Sequence, residues 1–470
     1  MGGSWVPRPS AVAAALFAAA VALAAVALIA LGLQMTRTIM SVSSDPLRDF
    51  DVRTLSSQAP SGGVAGMIAR GERVNVLLLG YGGSGHDGAY LTDSLMVASL
   101  DPRSGGVTLF SIPRDLWVTI PKSKYAATFE AKINEAFAVG ASAGDRDEGM
   151  RLAATTIESV LGISIDRTVA IDFAAFRTVV DAIGGVDVTV DRAFAARYPK
   201  NDDPAIDASW IEIAFAAGPQ HLDGEAALRY ARARYSDGPE GSDFARAKRQ
   251  QKIVLAAKDK IVSTDAFTRL FALMDALREN VRTDLSLADM RALGAFARAF
   301  DDERAVKAAL STDNVLQNGF TQATGYALWP KVEGWREVHA YAERAIAYPA
   351  SLGEQFSIVL RLSARRAAVG RLALRRLGDL GVAAKLELVD GEDAPRTTIG
   401  DGTAGAGDAT AQFLASYFGD AEITTGATSS GRIEVRLGRD WIAPIEYTAP
   451  DESPAPEPGA LAPGTPRPTR

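Results

Sequence analysis

An uncharged, strongly apolar stretch at residues 11–33 constrains this 470-residue chain more than any other feature of its sequence. At ~1.5 Å of rise per residue, a helix of this length reaches about 34 Å, enough to cross a hydrocarbon core of about 30 Å. The apolar region of a cleaved signal peptide, the alternative interpretation, usually runs only about 7–15 residues. We therefore predict one transmembrane helix over residues 11–33, preceded by a short cytoplasmic segment at residues 1–10.

The charges that flank this stretch do not decide which side of the membrane the rest of the chain occupies. Arg8 precedes the stretch, and three arginines follow it: Arg37, Arg48 and Arg53. This excess of positive charge after the stretch disfavours a cytoplasmic N-terminus, but large domains can be translocated regardless of such a charge bias. The orientation stays open on charge alone.

Composition excludes several classes of site. The sequence has no cysteine, which excludes disulfides, thiol nucleophiles and iron–sulfur clusters, and its three histidines are too scattered to predict a histidine-rich metal centre. The net charge of -7 and the pI of about 5.3 give no general attraction to nucleic acid. Any anion-binding activity must therefore come from a local basic cluster.

After a juxtamembrane linker predicted over residues 34–70, short apolar strands alternate with amphipathic helices. Predicted strands cover 74–79, 95–100, 107–112, 168–173 and 186–190, and predicted helices cover 148–161, 174–183, 224–231 and 243–262. Asp223 and Asp243 are the predicted N-caps of the last two helices. The alternation is typical of an α/β domain with a mixed central sheet flanked by helices, which we place at 71–345 with short helical stretches through 265–345.

A second, smaller α/β unit is predicted over residues 355–442. It has apolar strand patterns at 356–362 and 385–389 around a helical pattern at 366–377. Seven prolines then fall within residues 450–470, a composition that predicts an extended, disordered tail without a core.

The glycines at 80–85 match the G-x-G-x-x-G fingerprint of dinucleotide-binding folds, but their context does not. That fingerprint needs a helix after the third glycine, and a parallel crossover takes about a dozen residues or more. Only residues 86–92 intervene before Asp93 and the next apolar strand. We therefore predict a long hairpin or irregular loop rather than a nucleotide site.

Polar residues cluster where the first predicted strands begin and end. Asp87 and Asp93 lie in the glycine loop and at the mouth of the second strand, where carboxylates suit a hard cation such as Mg²⁺. Arg114 ends the next strand, and its rigid fork matches phosphate oxygens. Each residue also has a structural alternative, because Asp93 could cap a turn and Arg114 could pair with Asp115 or be solvated.

The strongest candidate for anion binding is the segment 229–252, with seven basic residues against three acidic ones. Arg232 and Arg234 follow the helix at 224–231 in an extended segment. Side chains two residues apart in an extended segment point the same way. Arg246 and Gln250 head a stripe that is otherwise apolar, where polar groups are costly unless satisfied. A phosphate ligand would satisfy them, and so would an internal salt bridge.

Eight motifs that occur in order over residues 76–251 resemble those of the LytR–CpsA–Psr family of cell-envelope phosphotransferases. They are VLLLG (76–80), LTDSLMV (91–97), SIPRD (111–115), KINEA (132–136), DF (172–173), IGGVDV (183–188), LDGEAALRYARAR (222–234) and DFARAKRQQ (243–251). The unit at 355–442 looks like the LytR C-terminal domain, although the Asn-Gly usual in that domain is replaced by residues 362–364.

The resemblance implies a single-pass cell-membrane protein whose bulk is extracytoplasmic. Such an enzyme transfers a glycopolymer from undecaprenyl pyrophosphate to a peptidoglycan hydroxyl, with Mg²⁺ or Mn²⁺ on the pyrophosphate. By position, Arg114 and Asp93 match catalytic residues, and Asp93 also matches the metal-linked aspartate. The other residues that match phosphate-binding positions are Lys132, Arg232, Arg234, Arg246 and Gln250.

One departure from the family pattern concerns the metal. Many relatives carry a second acidic residue where this chain has Tyr81, so we expect Asp87 to supply the missing carboxylate. A polyprenyl-pyrophosphate hydrolase and a non-catalytic scaffold that binds envelope polymers remain the alternatives. The first would use the same site with water as acceptor, and the second would show no metal-dependent turnover.

Overall fold

The computed structural model describes residues 62–203, 209–236, 238–261, 277, 280–426 and 431–448. The predicted transmembrane helix at 11–33 and the predicted proline-rich tail at 450–470 lie outside these residues. Among the helices that the structure describes, none combines the length and apolarity that crossing a bilayer requires.

Nineteen strands are described. They are β1 (Val74–Tyr81), β2 (Thr92–Asp101), β3 (Gly106–Ile112), β4 (Trp117–Ile120), β5 (Phe129–Lys132), β6 (Arg167–Asp172), β7 (Val186–Val190), β8 (Phe194–Pro199), β9 (Trp210–Phe215), β10 (Gly218–Leu222), β11 (Val281–Thr283), β12 (Val306–Ala309), β13 (Leu316–Thr321), β14 (Gly325–Pro330), β15 (Ser357–Ser363), β16 (Ala384–Val389), β17 (Thr398–Asp401), β18 (Glu422–Thr425) and β19 (Arg432–Arg436).

The α-helices described in full flank these strands. They are α1 (Gly63–Ala69), α2 (Glu135–Ala141), α3 (Arg146–Leu161), α4 (Phe173–Ala182), α5 (Gly224–Arg232), α6 (Asp243–Ile261), α7 (Leu287–Ala299), α8 (Arg336–Ile346), α9 (Ala367–Asp379) and α10 (Asp408–Tyr417).

The main sheet has six strands in the order β11-β6-β1-β2-β3-β12. Strand β1 is parallel to β6 and antiparallel to β2, and β3 is antiparallel to β2 and parallel to β12. This confirms the predicted mixed central sheet. It also shows that the glycine loop joins two antiparallel strands, whereas a dinucleotide-binding fingerprint needs a parallel crossover.

Three local predictions were wrong. The end of the predicted linker forms α1, in which Val64 is fully buried and the Ala65 N–H donates to Asp289 at 2.9 Å. The prediction of short helical stretches through 265–345 was wrong in part: the region contains α7 and most of α8, but also β11 to β14, because strands of three to six residues leave little periodic signal. Helix α6 begins at Asp243, so its N-cap is Ser242, whose hydroxyl oxygen accepts a hydrogen bond from the Ala245 N–H at 3.1 Å.

The C-terminal residues form a separate five-stranded sheet in the order β16-β15-β19-β17-β18, with α9 and α10 beside it. Helix α8 connects this unit to the first. Its Tyr341 ring lies 5.9 Å from Phe110 of β3, and its Glu337 accepts a hydrogen bond from Tyr417 of α10 at 3.0 Å. The α/β architecture expected at 355–442 is observed, and its likeness to a LytR C-terminal domain stays a prediction.

Helices α2 and α3 pack backbone to backbone through two glycines. A Cβ on Gly149 would lie 2.5 Å from the Phe137 carbonyl oxygen, and a Cβ on Gly140 would lie 2.3 Å from the Gly149 nitrogen. Neither neighbour can move without moving a helix. The glycines therefore fix how closely α2 and α3 pack together.

We expect Gly149→Ala to destabilise the fold by about 1–3 kcal/mol, because overpacking outweighs the helix propensity that alanine adds. Gly294→Ala in α7 is the matched control, since no atom lies within 4 Å of its added Cβ. That control should leave stability unchanged or raise it by up to about 1 kcal/mol. Urea unfolding of both variants measures the difference, and equal effects would contradict the close helix packing.

Candidate phosphate-binding site

A cavity of about 250 Å³ opens at one edge of the main sheet. Strand β1 ends, β2 begins and β3 ends at this edge because β2 is antiparallel to both neighbours. Strand β6 is parallel to β1 and ends here as well, so Phe173 at the start of α4 joins the lining. The cavity also contains seven of the eight site residues expected from the sequence: Asp87, Asp93, Arg114, Arg232, Arg234, Arg246 and Gln250.

The centre of this cavity is the carboxylate of Asp93, which faces two guanidinium groups. Oδ1 of Asp93 forms an ion pair with Arg114 Nη1, and Oδ2 lies 3.9 Å from Arg232 Nη2. Both arginines are therefore oriented toward the same point. An anion that arrived here would meet two planar forks of donors already directed into the cavity.

Arg114 is held from behind by Asp115. The Arg114 Nε lies 3.5 Å from Asp115 Oδ2, and Lys132 Nζ lies 2.9 Å from Asp115 Oδ1. Burial would raise the pKa of Asp115, but the positive charges of Arg114 and Lys132 outweigh it and lower this pKa below its ordinary value. Lys132, which the family pattern suggests as a phosphate contact, does not line the cavity and instead supports Asp115.

Arg232 is fixed by a set of partners that the sequence did not reveal. Its guanidinium stacks 4.0 Å from the centre of the Phe173 ring, donates to the Tyr198 hydroxyl at 2.8 Å and donates to the Asp202 carbonyl at 3.0 Å. Asp202 in turn forms an ion pair with Arg177 of α4. The consecutive aspartates at 202 and 203 were the available signal, but nothing in their local sequence places them beside Arg232.

The basic segment 229–252 divides into two groups. Arg246 is 8% exposed and lines the cavity, together with Gln250, whose side chain accepts a hydrogen bond from Ser94 at 3.1 Å. Arg249 instead points into the protein, where it donates to the Tyr230 carbonyl at 3.0 Å, and Lys248 is exposed. The expected stripe of α6 thus brings Arg246 and Gln250, but not their neighbours, to the site.

The carboxylates of the cavity are chemically suited to a hard divalent cation. Asp87 and Asp93 both line it, as do Asp202 and Asp203, and the Asp87 N–H donates to Asp203 at 2.5 Å. Within the described residues, no group of three or more histidine or carboxylate side chains is arranged to hold a metal. Because Mg²⁺ usually takes one or two carboxylates with substrate phosphates, these donors fit it only together with a phosphate ligand.

Tyr81, at the position of the second acidic residue of many relatives, lies in the core. It is 1% exposed, and its ring centre lies 5.0 Å from that of Phe137. Burial raises the pKa of Tyr81 to about 12, so the hydroxyl stays neutral. Asp87 lies in the cavity, where the substitute carboxylate was expected.

His86 reports on the charge of this cavity, because burial and then the positive charge of Arg232 hold its pKa below the ordinary value of about 6.5. The folded state therefore favours neutral His86, so the stability present above the ordinary value begins to fall below it and is lost as the pH falls through the lower pKa of the folded state. We expect Arg232→Gln to raise the pKa of His86, measured by NMR titration with His221, outside the cavity, as internal reference. An unchanged or lower pKa would contradict the placement of Arg232.

Comparisons with known proteins identify the family of the chain. The LytR_cpsA_psr family model matches residues 40–327. The polyisoprenyl-teichoic acid–peptidoglycan teichoic acid transferase TagU of Enterococcus faecalis is 32% identical over 254 residues, which are 53% of this chain and 72% of that protein. TagV of Bacillus subtilis is 32% identical over 213 residues, 45% of this chain and half, 50%, of that relative's own length.

Solved structures give weaker likenesses. The crystal structure of B. subtilis TagV has a TM-score of 0.44 at 27% identity, over 59% of this chain and 98% of that one. The structure of TagT bound to LIIa-WTA has a TM-score of 0.43 at 23% identity, over 65% and 96%. Both TM-scores are below 0.5, so the family assignment rests on the family model, which covers more than half of the sequence. The chain belongs to the LytR_cpsA_psr family.

Proposed function

We propose that this protein is a metal-assisted phosphotransferase that moves a glycopolymer from a polyprenyl-pyrophosphate carrier, expected to be undecaprenyl pyrophosphate, to a hydroxyl of peptidoglycan. Residues 11–33 would anchor it in the cell membrane, with its folded part outside the cytoplasm. The observation that carries the proposal is the convergence of five arginines on one small cavity: Arg114, Arg197, Arg232, Arg234 and Arg246. The names of the relatives, transferases of polyisoprenyl-linked teichoic acid, support the same substrate class.

The proposed reaction is a direct displacement at phosphorus. The acceptor oxygen attacks the phosphorus that bears the glycan, the bond from that phosphorus to the bridging oxygen breaks, and polyprenyl phosphate leaves. Phosphoryl transfer needs little covalent help and much stabilisation of charge on the phosphate oxygens. Arg114 and Arg232 supply it by exchanging their contacts with Asp93 for contacts with the pyrophosphate.

The same exchange gives Asp93 its role. Once the arginines bind phosphate oxygens, the Asp93 carboxylate is free to face a divalent cation, with Asp87 as the second protein ligand. Mg²⁺ or Mn²⁺ bound there would neutralise charge on the pyrophosphate. A carboxylate that holds a cation is a weak base, so the acceptor hydroxyl would lose its proton late in the transfer, to the leaving polyprenyl phosphate or to solvent.

The substitutions Arg246→Gln and Lys248→Gln separate the cavity from the basic surface. Both remove one positive charge from α6, but only Arg246 lines the cavity, whereas Lys248 is exposed. We expect Arg246→Gln to lower the rate of glycan transfer by about 10²–10³-fold, as loss of a transition-state donor does, and Lys248→Gln to leave it near wild type. Equal losses would indicate general attraction to the polymer, as expected of a scaffold.

Metal binding is tested without turnover by titrating the full chain with Mn²⁺ and following free Mn²⁺ by electron paramagnetic resonance, with and without inorganic pyrophosphate. We expect tight binding only when pyrophosphate is present, because the protein supplies too few carboxylates alone. Asp93→Asn and Asp87→Asn should each weaken it, and Asp313→Asn, an exposed aspartate outside the cavity, is the control. If Asp87→Asn had no effect, the second ligand would not be Asp87.

A further inference from the structure

A second and larger cavity, about 810 Å³, lies beside the β4–β5 and β13–β14 hairpins. The chain near Tyr447 closes its side, because the Tyr447 N–H donates to the Lys331 carbonyl at 3.0 Å. Gln317 of β13 fixes the same wall by donating to the Pro330 and Tyr447 carbonyls at 3.0 and 2.6 Å. We call this open cavity the aromatic groove.

Aromatic rings form much of the surface of the aromatic groove. Trp117 and Tyr447 are half-buried and pack against Trp329, which is 4% exposed, and Trp335 contributes a further half-buried ring. Half-buried tryptophan and tyrosine rings offer flat apolar area at little entropic cost, because their hidden parts already fix their orientation.

The polar residues of the aromatic groove are neutral or acidic. Exposed Thr119, Glu130 and Gln322 lie along it, beside Thr321 and Thr324. None of the described residues that line the groove is lysine or arginine, in contrast to the phosphate-binding cavity. The groove is therefore poorly suited to a polyanion. Flat rings with hydroxyl, amide and carboxylate groups between them instead suit uncharged sugars, whose C–H faces pack on rings while their hydroxyls form hydrogen bonds.

The aromatic groove is connected to the phosphate-binding cavity through one strand pair. Trp117 lies opposite Lys132 in the β4–β5 register, and Lys132 binds the Asp115 that holds Arg114. Part of the groove also lies beyond the residues that the family model matches, since Trp329, Trp335 and Tyr447 all follow residue 327.

We propose that the aromatic groove binds the uncharged glycan backbone of the acceptor and so presents its hydroxyl to the phosphate-binding cavity. This inference rests on the proposed function, because it assigns the acceptor of that reaction to a place on the surface. The charge of the two cavities decides the assignment: the pyrophosphate donor takes the arginine-lined cavity, and the neutral acceptor strand takes the groove.

The test is calorimetric titration of the full chain with an N-acetylglucosamine tetramer, a soluble probe for a neutral amino-sugar strand. We expect Trp117→Ala and Trp335→Ala each to weaken binding by about tenfold, the loss of one stacked ring. Trp335→Phe, which keeps a flat ring, should restore most of the affinity. Tyr125→Ala, an exposed aromatic residue of the same β4–β5 hairpin outside the groove, is the matched control. Thermal unfolding checks that each variant is folded.

Gln322→Ala, at the exposed tip of the β13–β14 hairpin, changes no core residue, and it should also weaken tetramer binding. The proposal is overturned if the wild type does not bind the tetramer, if the groove variants bind it as the wild type does, or if poly(glycerol phosphate) competes for the groove. Transfer of glycan from the lipid pyrophosphate to a peptidoglycan fragment is measured on the wild type in the presence of Mg²⁺. Absence of transfer would refute the proposed function, whereas the sugar-binding result tests the groove by itself.

Discussion

The electrostatic constraint on which this protein depends is the concentration of positive charge at one sheet edge of an acidic chain. Like charges repel, so guanidinium groups that converge on one cavity need carboxylates to hold them. Asp93 supplies one from within the cavity, facing Arg114 and Arg232. Asp115 and Asp202 supply others from behind the same two arginines, which leaves the guanidinium forks directed at the cavity. The site is therefore organised before any phosphate arrives, and a phosphate has only to replace Asp93.

The sheet explains why residues so far apart in sequence meet. Asp93 and Arg114 belong to neighbouring antiparallel strands, so the start of one and the end of the other share an edge. Helix α6 then crosses this edge with Arg246 and Gln250 on the face that packs inward, and the Gln250 side chain reaches Ser94. The glycine loop of residues 82–91 brings Asp87 over the cavity. The fold thus brings four separate motifs to one cavity.

Much of this site was predictable because its residues carry local signals. Arg246 and Gln250 interrupt an apolar helical stripe, and Asp93 and Arg114 stand at strand ends, so each is anomalous within its own element. Tyr198 and Asp202 do not interrupt a pattern in their own segments. Their role in the site comes from their contacts with Arg232. Lys132 shows that a local signal can also mislead. It is a basic residue in a matching motif and was expected to contact phosphate, but it forms an ion pair with Asp115. Strand β12 was missed because its partner β3 is distant in the sequence, and β13 and β14 were missed because each is too short to give a clear alternating pattern.

The central claim is tested most directly by quantifying both products of a single reaction. The full chain is given a polyprenyl-pyrophosphate oligosaccharide, a peptidoglycan fragment and Mg²⁺, and polyprenyl phosphate and glycan on the acceptor are quantified together. The account predicts equal amounts of both products, and loss of both in Arg114→Ala. Release of polyprenyl phosphate without glycan on the acceptor would show a hydrolase, and binding of the lipid without any product would show a scaffold; either result would contradict the account.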